Sequence, residues 1–426
     1  MYVGPSLSHP RLLPLLLLIS LLGCEKPKEP SPETVPLRES TKANGSFLLL
    51  AQVQFEMTTD ETGKTRPRPG PAKLLQLHPG KNGWTATTIS DPDSRVFHKA
   101  TCFKQQSENQ LLTIGATGAH LKTWRRRGSE WTSTSHWNPS FGGKWDRLRD
   151  YEWGDVDHDG EEELILATHD QGVVAVAEFK DGTFTPVEIF RQPNTFIHEI
   201  EVGDTNADQR LEFFATPSAP NSAEASQGGA VLQFTSDGKG GFTSKTVASF
   251  PSRHAKEILV TDLNGDGRDE LYVSLEAETR RSQGKLEIIE PLQIIQFTWV
   301  KEKWRERVIA TLPKGVQARV LLAGDTRGEG KPHLFVTTMR DGVWELIPAG
   351  PLEPFLSFQI DANSSGFEHA AGLADLDADG RPELYVAADD QDEIRVHRWE
   401  GDAYRSEVIF RLPRRDLTWT IEGCTP

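Results

Sequence analysis

The chain has 426 residues, a formal net charge of −15 and only three Cys. That acidic balance argues against a nucleic-acid partner, because phosphate binding needs a basic face. The length exceeds one ordinary core, so an internal repeat has to be tested before separate domains are assumed.

Residues Leu12 to Leu22 are almost unbroken Leu and Ile, with Arg11 just before them. The run falls short of the roughly 20 apolar residues a spanning helix needs, and has the length of a signal-peptide apolar region. It ends in Leu21-Leu22-Gly23-Cys24, which resembles the lipobox of bacterial lipoproteins. The resemblance implies a signal peptide over 1–23, acylation of the Cys24 thiol, and a chain anchored to a membrane rather than threaded through it. Residues 24–45 carry Pro27, Pro30, Pro32 and Pro36 among Glu, Lys, Ser and Thr. Such a segment cannot bury enough apolar surface to fold, and as a coil its mean reach is roughly 25 Å. Glu25 rather than Asp follows Cys24, which by resemblance to enteric lipoproteins favours the outer membrane. The expected location is the cell envelope, lipid-anchored.

From residue 46 a unit recurs. Glu152-Trp153-Gly154 leads into Asp155, Asp157, Asp159, Gly160 and Glu163, and an apolar run follows. The same order recurs at Asp204, Asn206, Asp208, Gln209 and Glu212, then at Asp262, Asn264, Asp266, Gly267 and Glu270. It recurs again at Asp375, Asp377, Asp379, Gly380 and Glu383. A degraded copy runs Asp325, Arg327, Glu329, Gly330 and His333. Two further copies keep the strands but hold Cys102 and Cys424 where the first acid belongs. The strands missing after Cys424 stand at the other end, at 46–51, 73–77 and 84–89. Each unit reads as four strands separated by Gly, Asp, Asn and Ser turns. The expectation is therefore an all-β, seven-bladed β-propeller over 46–426, with one blade assembled from both termini. Its alternative is a row of β-sandwiches.

Carboxylates at alternate positions of a tight loop converge on one point, and oxygen-only ligands suit Ca²⁺. An EF-hand would need its acid at position 12, where Leu166, Ala215, Val273 or Val386 stands instead. With the acid at position 9 and strands on either side, the unit resembles the FG-GAP or VCBS-type calcium repeats of integrin-like propellers. The resemblance implies calcium ligands at Asp155, Asp157, Asp159 and Glu163; at Asp204, Asn206, Asp208 and Glu212; at Asp262, Asn264, Asp266 and Glu270; and at Asp375, Asp377, Asp379 and Glu383. The loops at Asp155 and Asp375 should bind best, having four acids each. The loop at Asp204 should be weakest, because Gln209 must take a left-handed turn. At Asp325 the Arg327 guanidinium should replace the metal by pairing with Asp325 or Glu329.

Cys102 and Cys424 fall at equivalent places in neighbouring blades, and an oxidising compartment favours a disulfide between them. Six residues before each loop stand Arg149, His198, Lys256, Arg319 and His369, with Val96 and Thr418 in the other two units. This predicts a partial basic ring at one mouth of the channel, suited to an anion. No catalytic motif stands out. The expected function is a non-enzymatic binding module for an anionic glycan or protein partner. A lyase acting on uronate polymers and a purely structural envelope protein are the alternatives.

Overall fold

The computed structural model describes residues 45–425 apart from 62, 106–107, 129, 144–145, 221–225 and 415. The expected signal peptide, Cys24 and nearly all of the tether lie outside these residues. Seven four-stranded antiparallel sheets form the blades of a ring, as the repeats imply. Blade 1 joins Leu417–Cys424 to Phe47–Val53, Ala72–Gly80 and Gly83–Asp91, so strands from both ends of the sequence close it. Blades 2 to 7 follow in chain order, and their innermost strands start at Val96, Leu148, Phe196, Ala255, Ala318 and Ala371.

The second strand of each blade explains the ring. Glu163–Thr168, Glu212–Ser218, Glu270–Leu275, His333–Thr338 and Glu383–Ala388 are buried at every residue. Their apolar runs do not alternate, because both faces meet a neighbouring sheet. Each blade junction accordingly has its own apolar cluster, from Leu49 with Leu111 between blades 1 and 2 to Leu50 with Tyr385 between blades 7 and 1. Two exposed hairpins had no counterpart in the repeat. Phe55–Thr59 pairs with Thr65–Pro69 in blade 1, and Glu278–Ser282 with Lys285–Glu290 in blade 5. The second accounts for the long interval between the loops at Asp262 and Asp325.

Cys102 and Cys424 form a disulfide with Cα atoms 5.7 Å apart. It ties the closing strand of blade 1 to the inner strand of blade 2, as expected.

Candidate functional site

Six of the seven inner strands carry a β-bulge at nearly the same height. The register slips at His98, Arg149, Lys256, Arg319 and Trp419, and across His198 and Glu199. In blade 7 the inner strand is short, and His369 just before it has φ 45°. A bulge breaks the alternation of faces and re-aims a side chain. Here it turns Arg149 and Arg319 toward the axis, where they line a cavity of about 950 Å³. The positions proposed for the other two units are therefore corrected: the residues equivalent to Arg149 are His98 and Trp419, not Val96 and Thr418.

The five expected ring residues do not act alike. Arg149 and Arg319 each reach Glu368 Oε2 at 3.8 Å, and Lys256 Nζ lies 3.6 Å from Glu257 Oε1. Burial opposes ionisation of Glu368, but Arg319, Lys256 and Arg149 outweigh it and hold the carboxyl down to about 2. His198 instead pairs with His169 at 3.0 Å, and His369 with the Thr338 carbonyl and the Ser364 hydroxyl, both at 2.6 Å. Burial, joined by Lys256 at His198, keeps both imidazoles well below their ordinary pKa, His369 at about 4. They are neutral, so three cations, not five, make the basic group.

The channel wall also carries many acids, which the sequence reading missed. Asp150, Glu152, Glu199, Glu201, Glu257 and Glu422 all line it. Lys99 takes up Asp150 at 2.9 Å and Glu152 at 2.5 Å. Burial pushes Glu199, Glu201 and Glu257 upward, and Glu422 to about 7. Strict alternation from Arg149 put Tyr151 and Trp153 on its face and left these acids unexamined. The signal was present in the pairs Asp150/Glu152 and Glu199/Glu201, which share a strand face two residues apart.

The acidic loops lie at one end of the inner strands. At Asp155 the amide of Gly160 donates to Asp155 Oδ2 at 3.1 Å and that of Asp159 to Asp157 Oδ1 at 3.1 Å. At Asp375 the amide of Gly380 donates to Asp375 Oδ2 at 2.9 Å. Among the described residues, only Asp155/Asp157/Asp159 and Asp375/Asp377/Asp379 bring oxygens of three carboxylates within 4.8 Å of one another, so these could hold a cation. Asp155 Oδ1 is buried without a hydrogen-bond partner. The position-9 acids are held beside those triplets by backbone amides. Glu163 Oε2 accepts from the Val156 amide at 3.0 Å, and Glu383 Oε2 from that of Leu376 at 3.4 Å. In the other two loops the amide groups of Asn206 and Asn264 donate to Glu212 and Glu270. Asp204 and Asp208, like Asp262 and Asp266, keep the same turn through backbone amides. Gln209 does take the left-handed conformation, at φ 65°. At Asp325 the expected pairing is corrected: Arg327 bonds Glu345 at 2.5 Å and lies over the Trp399 ring at 3.9 Å. Glu345 also meets His333 and Tyr404, a buried site for the guanidinium that Asp325 and Glu329 do not offer.

No family model and no curated protein matches the chain. Solved structures do. A candidate 6-phosphogluconolactonase from Bacteroides uniformis is 12% identical with TM-score 0.54, covering 89% of this chain and 99% of its own. A Lactobacillus plantarum protein is 12% identical with TM-score 0.53, covering 89% and 99%. A periplasmic gluconolactonase from Pseudomonas aeruginosa is 14% identical with TM-score 0.49, covering 89% and 100%. The expectation that the chain is not an enzyme is thereby corrected, since a ring of this kind is shared with a protein named for catalysis and the fold permits it. At these identities the likeness speaks to architecture, and the chain is an all-β, seven-bladed β-propeller.

Proposed function

We propose that the chain is a cell-envelope lipoprotein whose propeller receives an anionic glycan in its axial channel and is stabilised by calcium at its acidic loops. The observation that carries the binding role is the pair Arg149 and Arg319, which line the cavity, with Lys256 buried close to the same Glu368. These cations are buried, yet Arg149 and Arg319 stand 3.8 Å from Glu368, beyond ordinary hydrogen-bond length. Arg319 Nε has no hydrogen-bond partner, and its Nη2 donates only to Gln317 Oε1 at 3.3 Å and the Met339 sulfur at 3.6 Å. A buried cation with so few hydrogen bonds is costly, and a carboxylate or sulfate from a ligand would supply more. The cavity of about 950 Å³ has the scale of small-ligand sites, which favours a sugar acid over the face of a folded protein.

Calcium is supported by the two aspartate triplets and by the unpartnered Asp155 oxygen. The loops at Asp204 and Asp262, with Asn at position 3, would bind more weakly. The acidic repeat remains the ground for kinship with FG-GAP or VCBS-type propellers. The anchor at Cys24 and an outer-membrane location rest on the lipobox, and palmitate labelling that disappears in Cys24→Ala would support the anchor.

Calorimetric titration with oligogalacturonate tests the binding role. The double variant Arg149→Ala/Arg319→Ala should weaken binding by at least about tenfold, since two charge-assisted contacts are removed. Unchanged affinity overturns the reading. Absorbance of unsaturated sugar ends, followed in the same samples, tells whether the polymer is only held or also cleaved.

A further inference from the structure

The axial channel changes its chemistry with depth. At the mouth, Phe367 is 46% exposed and packs against Trp419, with ring centroids 6.3 Å apart. Arg149 and Arg319 stand inside, only 9% and 7% exposed, each 3.8 Å from Glu368 Oε2. The Arg319 guanidinium lies 5.2 Å from the centre of the Phe367 ring, so the cations begin where the aromatic rim ends. Toward the acidic loops the inner strands then carry carboxyl groups. Asp150 and Glu152 follow Arg149, Glu199 and Glu201 follow His198, Glu257 follows Lys256, and Glu422 follows Trp419. The nearer lysines at that depth are taken: Lys256 pairs with Glu257, and Lys99 with Asp150 and Glu152. Among the described residues that line the cavity, the next cation is Lys104, exposed near the loop end of its strand.

This order governs how an acidic chain can enter. The two guanidinium groups are too buried to be met by a polymer lying across the mouth, so an acid group has to come down the axis to them. A polymer that passed on through would carry its next acid groups among Glu152, Glu201 and Glu422, two or three residues or roughly 7–10 Å further along the strands. Like charges meet there, and no uncommitted cation offsets them. The cavity itself continues to Gly160 and Glu161 at the loop end, so charge rather than length limits entry. Outside the cations, Phe367 and Trp419 offer apolar ring surface to whatever follows the inserted group.

We propose that the propeller recognises the end of an acidic polysaccharide chain, with the terminal sugar acid inserted to Arg149 and Arg319 and the following sugar resting on Phe367 and Trp419 at the mouth. This deepens the anionic-glycan reading and rests on it for the acid contact.

Chain length separates an end from an interior. Calorimetric titration of the full-length chain in calcium compares trigalacturonate with a galacturonate polymer many times longer, both counted as molar concentration of chains. The number of propellers taken up per chain should be the same for both, since a longer chain has no more ends. Phe367→Ala, a change at an exposed side chain, should weaken trigalacturonate several-fold and leave inorganic sulfate, which has no ring, unaffected. A number of bound propellers that rises with chain length overturns the inference. So does a Phe367→Ala loss that is equal for sulfate and trigalacturonate. Failure of the underlying anionic-glycan reading looks different: Arg149→Ala/Arg319→Ala would then leave the affinity for trigalacturonate intact.

Discussion

Single residues decide what the channel can hold, and backbone conformation decides which residues those are. Reading the inner strands by strict alternation found Arg149, Lys256 and Arg319 because a basic residue recurs before each loop. It could not foresee the bulge that turns these side chains onto the channel beside Asp150 and Glu257, because a bulge shifts register without a compositional mark. For the same reason His198 and His369 were counted as charges, although burial keeps them neutral. Two predictions belong at this scale. Glu422 is raised to about 7, first by burial and then by the charge of Glu152. Its native state therefore holds the proton more tightly than the unfolded chain does. That contribution to stability is full below about pH 4.5 and is lost as pH rises through 7. Glu422→Gln should flatten the fall in melting temperature over that window, and an identical slope in variant and parent would refute the assignment. Gln209 holds φ 65° where Gly160, Gly267 and Gly380 hold +95°, +81° and +89°. Gln209→Gly should add about 1 kcal/mol of stability by relieving a left-handed side chain, read as a higher urea midpoint.

The loop is the element that made the fold legible. Acids at positions 1, 5 and 9, with Asp or Asn at position 3, marked blades 3, 4, 5 and 7, and the spacing then located blade 6 and the two Cys-bearing blades. The loop also depends on a feature less visible in sequence. Position 4 is left-handed too, at His158, Ala207, Gly265 and Ala378, and only one of these is Gly. If calcium occupies the triplets, a chelator should lower the melting temperature of the wild-type propeller and excess calcium restore it. Asp155→Asn and Asp375→Asn should each diminish that response, whereas Asp325→Asn should leave it unchanged, since Arg327 and Glu345 hold that loop without metal. An equal loss in all three variants would show that the response does not come from the triplets. The disulfide is a second fastening at this scale. Replacing Cys102 and Cys424 by Ser should cost about 2–5 kcal/mol, measured by denaturant titration. The blade should still pair, because Leu417–Cys424 keeps its ladder with Phe47–Val53.

Across the whole molecule the count of seven blades was readable because each second strand is a short apolar run following a loop. The hairpins at 55–69 and 278–290 were not, since they are insertions that leave the ring's apolar pattern untouched and bury little of their own. The channel's chemistry was the least legible part, because it is assembled from residues far apart in sequence. Glu422, Lys99 and Glu201 come together only when the circle is complete. Shortening the chain before Leu417 should therefore abolish anion binding as well as lower stability, and a truncated protein that still binds oligogalacturonate would contradict an axial site.

The closing blade also imposes an order of events in time. Its innermost strand, Leu417–Cys424, is the last of the described strands to be synthesised, while its partner Phe47–Val53 is the first. Cys102 likewise waits through 322 residues for Cys424. Until residue 424 arrives, Phe47–Val53 has an unpaired edge and the axial carboxyls face water instead of one another. A ribosome-bound chain can thus form the middle blades but not the finished circle. Completion is deferred until the closing strand has left the ribosome, so the topology itself keeps the circle open while the chain is being made.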